Sequence, residues 1–256
     1  MSRNSLNTFV LTPWFGIPTP DDVLRELRAM RCRAPMAAVR EVNGLVCDIG
    51  NLHTLVVPLR GTVPAAEVSE GMKRSAARFF NFPPPTPPTV HAAQVAVTSS
   101  CKVGLVTFAD LELHSMIVAA VAKILDASGV SSVEATHPAA YVIETAEKHR
   151  PLTGLWCGVS VAKGEPPGML SYLSQGLTQL GLNELEVRCF EPEKDEALQW
   201  LLDGASYVAQ LGRNLEARET FGRGSSDKRP VTLVPSPVDP GLFVCRLDLR
   251  NPLQDP

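Results

Sequence analysis

The stretch from Leu152 to Cys189, LTGLWCGVSVAKGEPPGMLSYLSQGLTQLGLNELEVRC, shows the pattern of elements on which the fold of this chain depends. Its apolar start, Leu152 to Val161, predicts a strand, and the Gly/Pro-rich segment Lys163 to Gly168 predicts a loop. A polar turn rich in glycine then leads into a second predicted strand, Glu184 to Cys189. No catalytic motif lies in this stretch, so we expect it to serve as scaffold.

Outward from this stretch, predicted strands and helices alternate along the chain. Upstream, a strand from Ala92 to Thr98 leads into a helix from Asp110 to Ala127, and downstream a long helix spans Glu193 to Gln210. The polar, glycine-containing stretch Arg213 to Arg229 is typical of a mobile loop, and two short strands follow it. This order predicts an α+β (mixed α/β) fold with mixed, largely antiparallel sheets covered by helices.

The first 89 residues predict an N-terminal α/β subdomain. A strand from Thr8 to Phe15 precedes a helix whose start, at Thr19, has a capping hydroxyl followed by proline and two carboxylates. Two strands joined at the Asn43-Gly44 hairpin signal and a helix from Ala65 to Phe79 follow. The order βαββα, completed by the strand from His91 to Thr98, predicts a ferredoxin-like unit.

A proline-rich run from Phe82 to Thr89 separates this subdomain from the rest of the chain. Such a run favours the extended polyproline conformation and acts as a stiff spacer. We therefore predict an N-terminal subdomain, 1–89, that ends in a Pro-rich connector, and a C-terminal α/β domain, 90–256. A recognition module that reads the PxxP pattern is the alternative interpretation of the connector.

Composition excludes several classes of protein. The chain has 256 residues, 45% of them hydrophobic and 20% charged, which is ordinary globular usage. A net charge of −3 gives no general attraction to nucleic acid or to an anionic membrane surface. The N-terminal apolar run is too short for a signal peptide, and we expect a cytoplasmic protein without a membrane span. The six cysteines lack any C-x-x-C pair and are expected to be buried free thiols.

The sequence contains few residues in patterns typical of a catalytic site. Nucleotide-binding fingerprints are missing, and Ser160 lies in a predicted strand without the second glycine of a nucleophile elbow. Asp110, Glu112 and His114 lie together at a helix start, where carboxylates are expected anyway because they complement the helix dipole. We therefore predict no catalytic residue, no cofactor and no metal site.

The most distinctive charge pattern is a cluster of six carboxylates within thirteen residues. Its members are Glu184, Glu186, Glu191, Glu193, Asp195 and Glu196. Alternation along the strand predicts that the first two point outward, and the last three occupy the first turn of a helix. Two interpretations stay open, namely ordinary solvated carboxylates and an acidic patch for a basic partner.

Several short segments resemble a bacterial family known as a domain of unknown function. Ser174-Gln175-Gly176-Leu177 and Gly181-Leu182-Asn183-Glu184-Leu185-Glu186-Val187 resemble its "T-x-G-L-x-x-x-G-x-x-E-L-E" signature near the C-terminus. His91 to Val97 resembles its "H-x-A-H-V-x-V" strand, with Gln94 in place of the second histidine, and Leu155-Trp156 resembles its "L-W" strand. Thr220-Phe221-Gly222 corresponds to its "D-T-I-G" loop. The resemblance covers residues 90 to 249.

Members of that family occur as immunity proteins beside toxins of the type VI secretion system. The resemblance therefore implies a cytoplasmic, non-enzymatic protein that binds and neutralises a cognate effector toxin, with nucleases as one class of effector. We expect the six clustered carboxylates to bind that partner. The alternative is a small-molecule hydrolase or other enzyme that uses His91, His114 or Cys157.

Overall fold

A computed structural model describes residues 5–79, 88, 90–132, 134–148, 152–224, 227–239 and 241–249. The chain divides into two compact units, Met1–Gly158 and Val159–Pro256. Both units combine a mostly antiparallel sheet with helices, so the predicted α+β fold is confirmed. Within the described ranges, no helix is long and apolar enough to cross a membrane.

The N-terminal unit is built on a seven-stranded sheet with the order β2-β3-β4-β5-β1-β6-β7. All of its strand pairs are antiparallel. The strands are β1 (Ser5–Thr12), β2 (Met36–Glu41), β3 (Gly44–Ile49), β4 (Leu52–Arg60), β5 (Ala93–Cys101), β6 (Gly129–Ser132) and β7 (Thr136–Pro138).

In the described residues, five helices accompany this sheet. They are α1 (Pro20–Ala29), α2 (Ala65–Lys73), α3 (Phe108–Ile124), α4 (Ala139–Glu147) and the short α5 (Thr153–Trp156). Helix α2 lies against β6 and β7. The hydroxyl of Thr19 accepts a hydrogen bond from the Asp22 amide and so caps α1 as predicted. Helix α3 is the central one, and a capping box between Thr107 and Asp110 begins it. Its apolar residues, including Ile117 and Val121, meet the buried side chains of the sheet.

The strand order corrects two predictions for this half of the chain. In a ferredoxin-like unit, β1 would pair directly with the hairpin strand β4 and β5 would lie outside them, whereas here β5 lies between β4 and β1 and β1 also pairs with β6. Strand β5 follows the proline-rich run, yet it pairs with β1 and β4 along their whole lengths. The boundary predicted at residue 89 is therefore wrong, because both sides of it share one sheet. Most of the proline-rich run lies outside the described residues.

The C-terminal unit contains a six-stranded sheet with the order β11-β12-β13-β10-β9-β8. Its strands are β8 (Gly158–Lys163), β9 (Met169–Gln175), β10 (Glu184–Phe190), β11 (Thr220–Gly224), β12 (Asp227–Pro235) and β13 (Phe243–Asp248). The β10–β13 pair is parallel and the other registered pairs are antiparallel. Helix α6 (Lys194–Leu211) packs on β9 and β10 and buries Trp200 and Leu201.

Two further predictions of local structure were wrong. The strand expected from Leu152 to Val161 begins only at Gly158, since Thr153–Trp156 forms one helical turn. The loop expected from Arg213 to Arg229 contains β11 and the start of β12, which pair with each other. Short polar strands such as these lack the apolar alternation by which a strand is recognised in a sequence.

Candidate functional site

The six clustered carboxylates lie on β10, on a 3₁₀ turn at Glu191–Glu193 and on the first turn of α6. Strand β10 is an interior strand of its sheet, paired with β9 on one side and β13 on the other. Its apolar residues Leu185 and Val187 are fully buried. The position of each carboxylate on these elements decides whether it is available to a partner.

Glu184 closes the glycine turn that precedes its own strand. One carboxylate oxygen accepts hydrogen bonds from the amides of Gly176 (2.8 Å) and Thr178 (3.1 Å), and the other accepts one from the Ser174 hydroxyl (2.5 Å). Both ends of the turn have a positive φ that glycine adopts readily, 144° at Gly176 and 73° at Gly181. The residues of the G-L-x-x-x-G-x-x-E signature thus form a turn that Glu184 stabilises from within.

Glu186 is buried, with only 2% of its surface exposed. Its oxygens accept hydrogen bonds from the Ser171 hydroxyl (2.5 Å) and from Arg246 Nε (2.8 Å). Burial also raises the pKa of the neighbouring Asp248, although Arg188 and Arg246 oppose that shift. The prediction that Glu184 and Glu186 point outward was wrong, because both carboxylates are occupied by hydrogen bonds within the unit.

The four remaining carboxylates lie around the start of α6 and differ in availability. Glu193 accepts a hydrogen bond from the Phe190 amide (2.7 Å), so it caps the turn. Glu191 is exposed and lies 3.5 Å from the Lys194 ammonium. Asp195 and Glu196 are also exposed, and one oxygen of Glu196 accepts a hydrogen bond from the indole of Trp200 (3.2 Å). We call Glu191, Asp195 and Glu196 the acidic helix start.

The acidic helix start is what remains of the predicted patch. It carries three carboxylates against the single ammonium of Lys194. Carboxylates at a helix N-terminus are favoured by the helix dipole, and their charges stay available to solvent here because the side chains are exposed. These exposed carboxylates can therefore attract a basic surface.

The histidines considered for catalysis lie in separate hydrogen-bond networks. His91 accepts a hydrogen bond from the Val63 amide (3.0 Å) through Nε2, so its Nδ1–H donates to the Pro88 carbonyl (2.9 Å). His114 is buried on α3, with its ring nitrogens 2.9 Å from the Thr8 hydroxyl and 2.7 Å from the Ser99 hydroxyl. Burial lowers the pKa of His114 to about 4, so the ring is neutral at physiological pH.

Asp110 and His114, which were considered as part of a metal site at the start of α3, also make hydrogen bonds within the fold. The Asp110 carboxylate accepts hydrogen bonds from the amide and the hydroxyl of Thr107, and His114 contacts hydroxyls. Burial raises the pKa of Glu112. In the part of the chain that the structure describes, no three His, Cys, Asp or Glu residues form a group able to hold a metal ion.

The cysteines are free thiols, as predicted. Four are buried, and Cys32 and Cys101 are half-buried. Burial raises the pKa of Cys47 to about 12 and that of Cys101 to about 11. Cys157 is fully buried, and its Sγ lies 3.7 Å from the Gly158 carbonyl oxygen. Thiols with raised pKa values are poor nucleophiles because little thiolate is present at neutral pH.

One buried polar pair, Ser75 and His137, is not indicated by any sequence motif. The Ser75 hydroxyl lies 2.7 Å from His137 Nδ1 and also accepts a hydrogen bond from the Ala77 amide (3.2 Å). Ser75 is 2% exposed and His137 is 1% exposed, and burial lowers the pKa of His137 to about 4. Ser75 also caps the 3₁₀ turn Ala76–Phe79, so its contact with His137 links the end of α2 to β7. Because Ser75 and His137 are separated by 62 positions in the sequence, no local pattern indicates this pair.

Comparisons of the chain with protein-family models, with curated sequences and with solved structures each returned no significant match.

Proposed function

We propose that this protein is an immunity protein that binds and neutralises a cognate effector toxin of the type VI secretion system in the cytoplasm. The observation that carries the proposal is the acidic helix start, where Glu191, Asp195 and Glu196 remain exposed after the other clustered carboxylates have been used inside the fold. The resemblance of residues 174–187 to the family of immunity proteins supports the same role.

A basic effector fits this surface best. Opposite charges on two partners steer their encounter and discriminate against other partners more than they increase affinity. A nuclease effector has a basic surface where it binds its nucleic acid substrate, because phosphate groups are recognised mainly by Lys and Arg. Occupation of that surface by the acidic helix start would block the substrate.

The hydrolase alternative requires two of His91, His114 and Cys157 in one accessible site. His91 instead holds the Val63 amide and the Pro88 carbonyl, and His114 lies among buried hydroxyls. These contacts give each histidine a structural role, and we therefore favour the binding function.

The proposal is tested by co-expression with the toxin encoded beside this gene. Wild-type protein is expected to rescue growth and to co-purify with the toxin, in a complex that salt weakens. Replacing the acidic helix start by E191K, D195K and E196K is expected to lower the affinity at least about tenfold. The control changes net charge equally at three exposed carboxylates elsewhere, D21K, E41K and E67K, and is expected to bind normally. Failure of the wild-type protein both to rescue and to co-purify would refute the proposal.

A further inference from the structure

Strand β2 is one edge of the seven-stranded sheet. Alternate residues of an edge strand direct their amide and carbonyl groups away from the sheet. The Gly50 amide donates to the Pro35 carbonyl (2.9 Å), so every second residue of β2 counted from Pro35 faces β3. The backbone groups of Met36, Ala38 and Arg40 therefore point outward.

These outward groups are open in the part of the chain that the structure describes. No backbone hydrogen bond there satisfies the amides or carbonyls that Met36, Ala38 and Arg40 direct away from β3. The side chains of Met36 and Ala38 pack against the core, and α1 lies against the strand. Ala37 and Val39 are exposed on the other face, Val39 by 59%. The core face of β2 is thus covered, whereas its edge is not.

The opposite edge of the same sheet is protected. Strand β7 is three residues long, ends in a proline and is wholly buried. Proteins protect edge strands in such ways because an open edge pairs with other extended chains. Strand β2 has six residues in unbroken register with β3 and contains no proline. Its edge is therefore suited to accept a further strand.

Basic side chains lie beside the start of this edge. Arg28 is in the last turn of α1, and Arg31 and Arg33 are in the connection from α1 to β2. All three are exposed, and within the described ranges none of them forms an ion pair. We call Arg28, Arg31 and Arg33 the basic cluster. Its charges are available to a partner that carries carboxylates.

The nearby carboxylates leave the basic cluster unneutralised. Three carboxylates on α1 and β3 have other basic partners: Asp22 with Arg25, Glu26 with Lys123 and Asp48 with Lys102. The exposed Asp21 and Glu41 belong to the far end of the edge, where Arg40 Nη1 donates to the Pro18 carbonyl (3.3 Å). The edge is therefore basic at its start and acidic at its end.

We propose that the edge of β2 binds an acidic, extended segment of a partner protein, which adds to the sheet as an antiparallel strand with its carboxylates beside the basic cluster. In this mode of recognition, backbone hydrogen bonds give affinity and side chains give specificity. Antiparallel pairing continues the pattern of the sheet and places the carboxylates at the C-terminal end of the segment. The edge and the acidic helix start belong to different units, so this inference is independent of the toxin-binding function.

Titration of the full chain with synthetic peptides tests the strand addition. The probe has six residues of alternating threonine and valine, the length of β2, followed by two glutamates. We expect it to bind at least about tenfold more tightly than a peptide with N-methyl groups on its backbone amides, which cannot pair with the edge. Replacing the two glutamates by lysines should weaken binding by a similar factor.

Residue-resolved hydrogen exchange locates the bound peptide. The peptide should slow exchange at the amides of Met36, Ala38 and Arg40. Exchange at Ala37 and Val39 should change less, because their amides already pair with β3.

Two variants separate the backbone from the charges. A38P removes an amide that β3 does not use and places the proline ring on the edge, so it should weaken peptide binding at least about tenfold and keep a cooperative unfolding transition. R28E with R33E should weaken binding by a similar factor. K163E with R218E is the matched control, because both residues are exposed in the other unit, and it should bind the peptide normally.

Several outcomes overturn the proposal. Absence of binding to the wild-type protein does so, as does equal binding of the N-methylated peptide or unchanged binding by R28E with R33E. These three results decide the question even if A38P fails to fold. Self-association of the wild-type protein through β2 that excludes the peptide would assign the edge to a second copy. Displacement of the peptide by a single-stranded oligonucleotide would assign the basic cluster to nucleic acid.

Discussion

At the scale of single residues, the clustered carboxylates divide into those that hold the fold together and those that face solvent. Charge patterning along the sequence finds all six, but it cannot tell them apart, because the partners of Glu186 include Arg246, which is 60 residues away. The prediction that alternate side chains of β10 point outward assumed that one face of the strand is solvated. Glu186 lies on that face, yet only 2% of its surface is exposed.

The division predicts unequal costs for removing two of these carboxylates. E184A deletes three hydrogen bonds and leaves the amides of Gly176 and Thr178 without their acceptor. We expect it to lower the free energy of unfolding by about 2 to 3 kcal/mol. E191A removes only an exposed contact to Lys194 and should change that free energy by less than about 0.5 kcal/mol. Urea denaturation of both variants measures the difference, and equal effects would contradict the structural role of Glu184.

The buried histidines predict a loss of stability in mild acid. Burial lowers the pKa values of His114 and His137 from 6.5 to about 4. Between these values the unfolded chain binds protons that the folded chain does not, so the free energy of unfolding falls as pH falls from about 6.5 towards 4. For the two histidines together, the loss between pH 7.5 and 5.5 should be about 3 kcal/mol.

Denaturation at several pH values between 7.5 and 5.5 tests this expectation. H114Q should reduce the pH dependence of the unfolding free energy by about half, whatever its effect at neutral pH. V103T, at an exposed residue that carries no titratable group, should leave the pH dependence unchanged. A stability that is flat over this range in the wild-type protein would show that the two rings bind protons equally in both states.

At the scale of secondary-structure elements, predictions were most accurate where the local sequence pattern and the tertiary packing favour the same element. The capped helix α1 and the long helices α3 and α6 lie where expected, because their start signals and apolar residues are local. The hairpin at Asn43-Gly44 also exists, but its turn residues are Val42 and Asn43. Gly44 opens β3, where a Cβ atom would lie 2.7 Å from the Val56 carbonyl oxygen.

Elements without a local signal were missed. The helical turn Thr153–Trp156 reads as an apolar strand in sequence, since four buried residues in a row fit either structure. The pairing of β11 with β12 depends on backbone contacts within a polar stretch. For the candidate site, the positions of the carboxylates were predictable, but their burial depended on the strands beside β10.

The glycine turn before β10 predicts a difference between its two glycines. Gly181 has φ 73° and ψ 23°, a left-handed conformation that asparagine also adopts, whereas Gly176 has φ 144° and ψ −19°, outside that region. We expect G181N to cost only a few tenths of a kcal/mol and G176N to cost about 1 to 3 kcal/mol. Thermal denaturation of the two variants ranks them, and the reverse order would contradict this account of the turn.

At the scale of the whole molecule, the N-terminal unit is defined by its seven-stranded sheet and not by the segment that precedes the proline-rich run. Strand β5 occupies the place between β4 and β1, and each of its residues except Cys101 has a registered partner on both sides. Sequence composition locates a proline-rich segment, but only the pairing of distant strands shows that the chain on both sides of it builds one sheet. The division after Gly158 follows from that pairing.

This organisation predicts how fragments of the chain behave. Residues 1–158 contain all seven strands of the N-terminal sheet and should unfold cooperatively, with protected amides in β4 and β5. Residues 1–89 lack β5, so β1 and β4 lose the strand that joins them, and the apolar residues Val10 and Val56 lose their cover from α3. The shorter fragment should therefore show no cooperative unfolding transition by circular dichroism. A cooperative transition in residues 1–89, together with none in residues 1–158, would restore the boundary at the prolines.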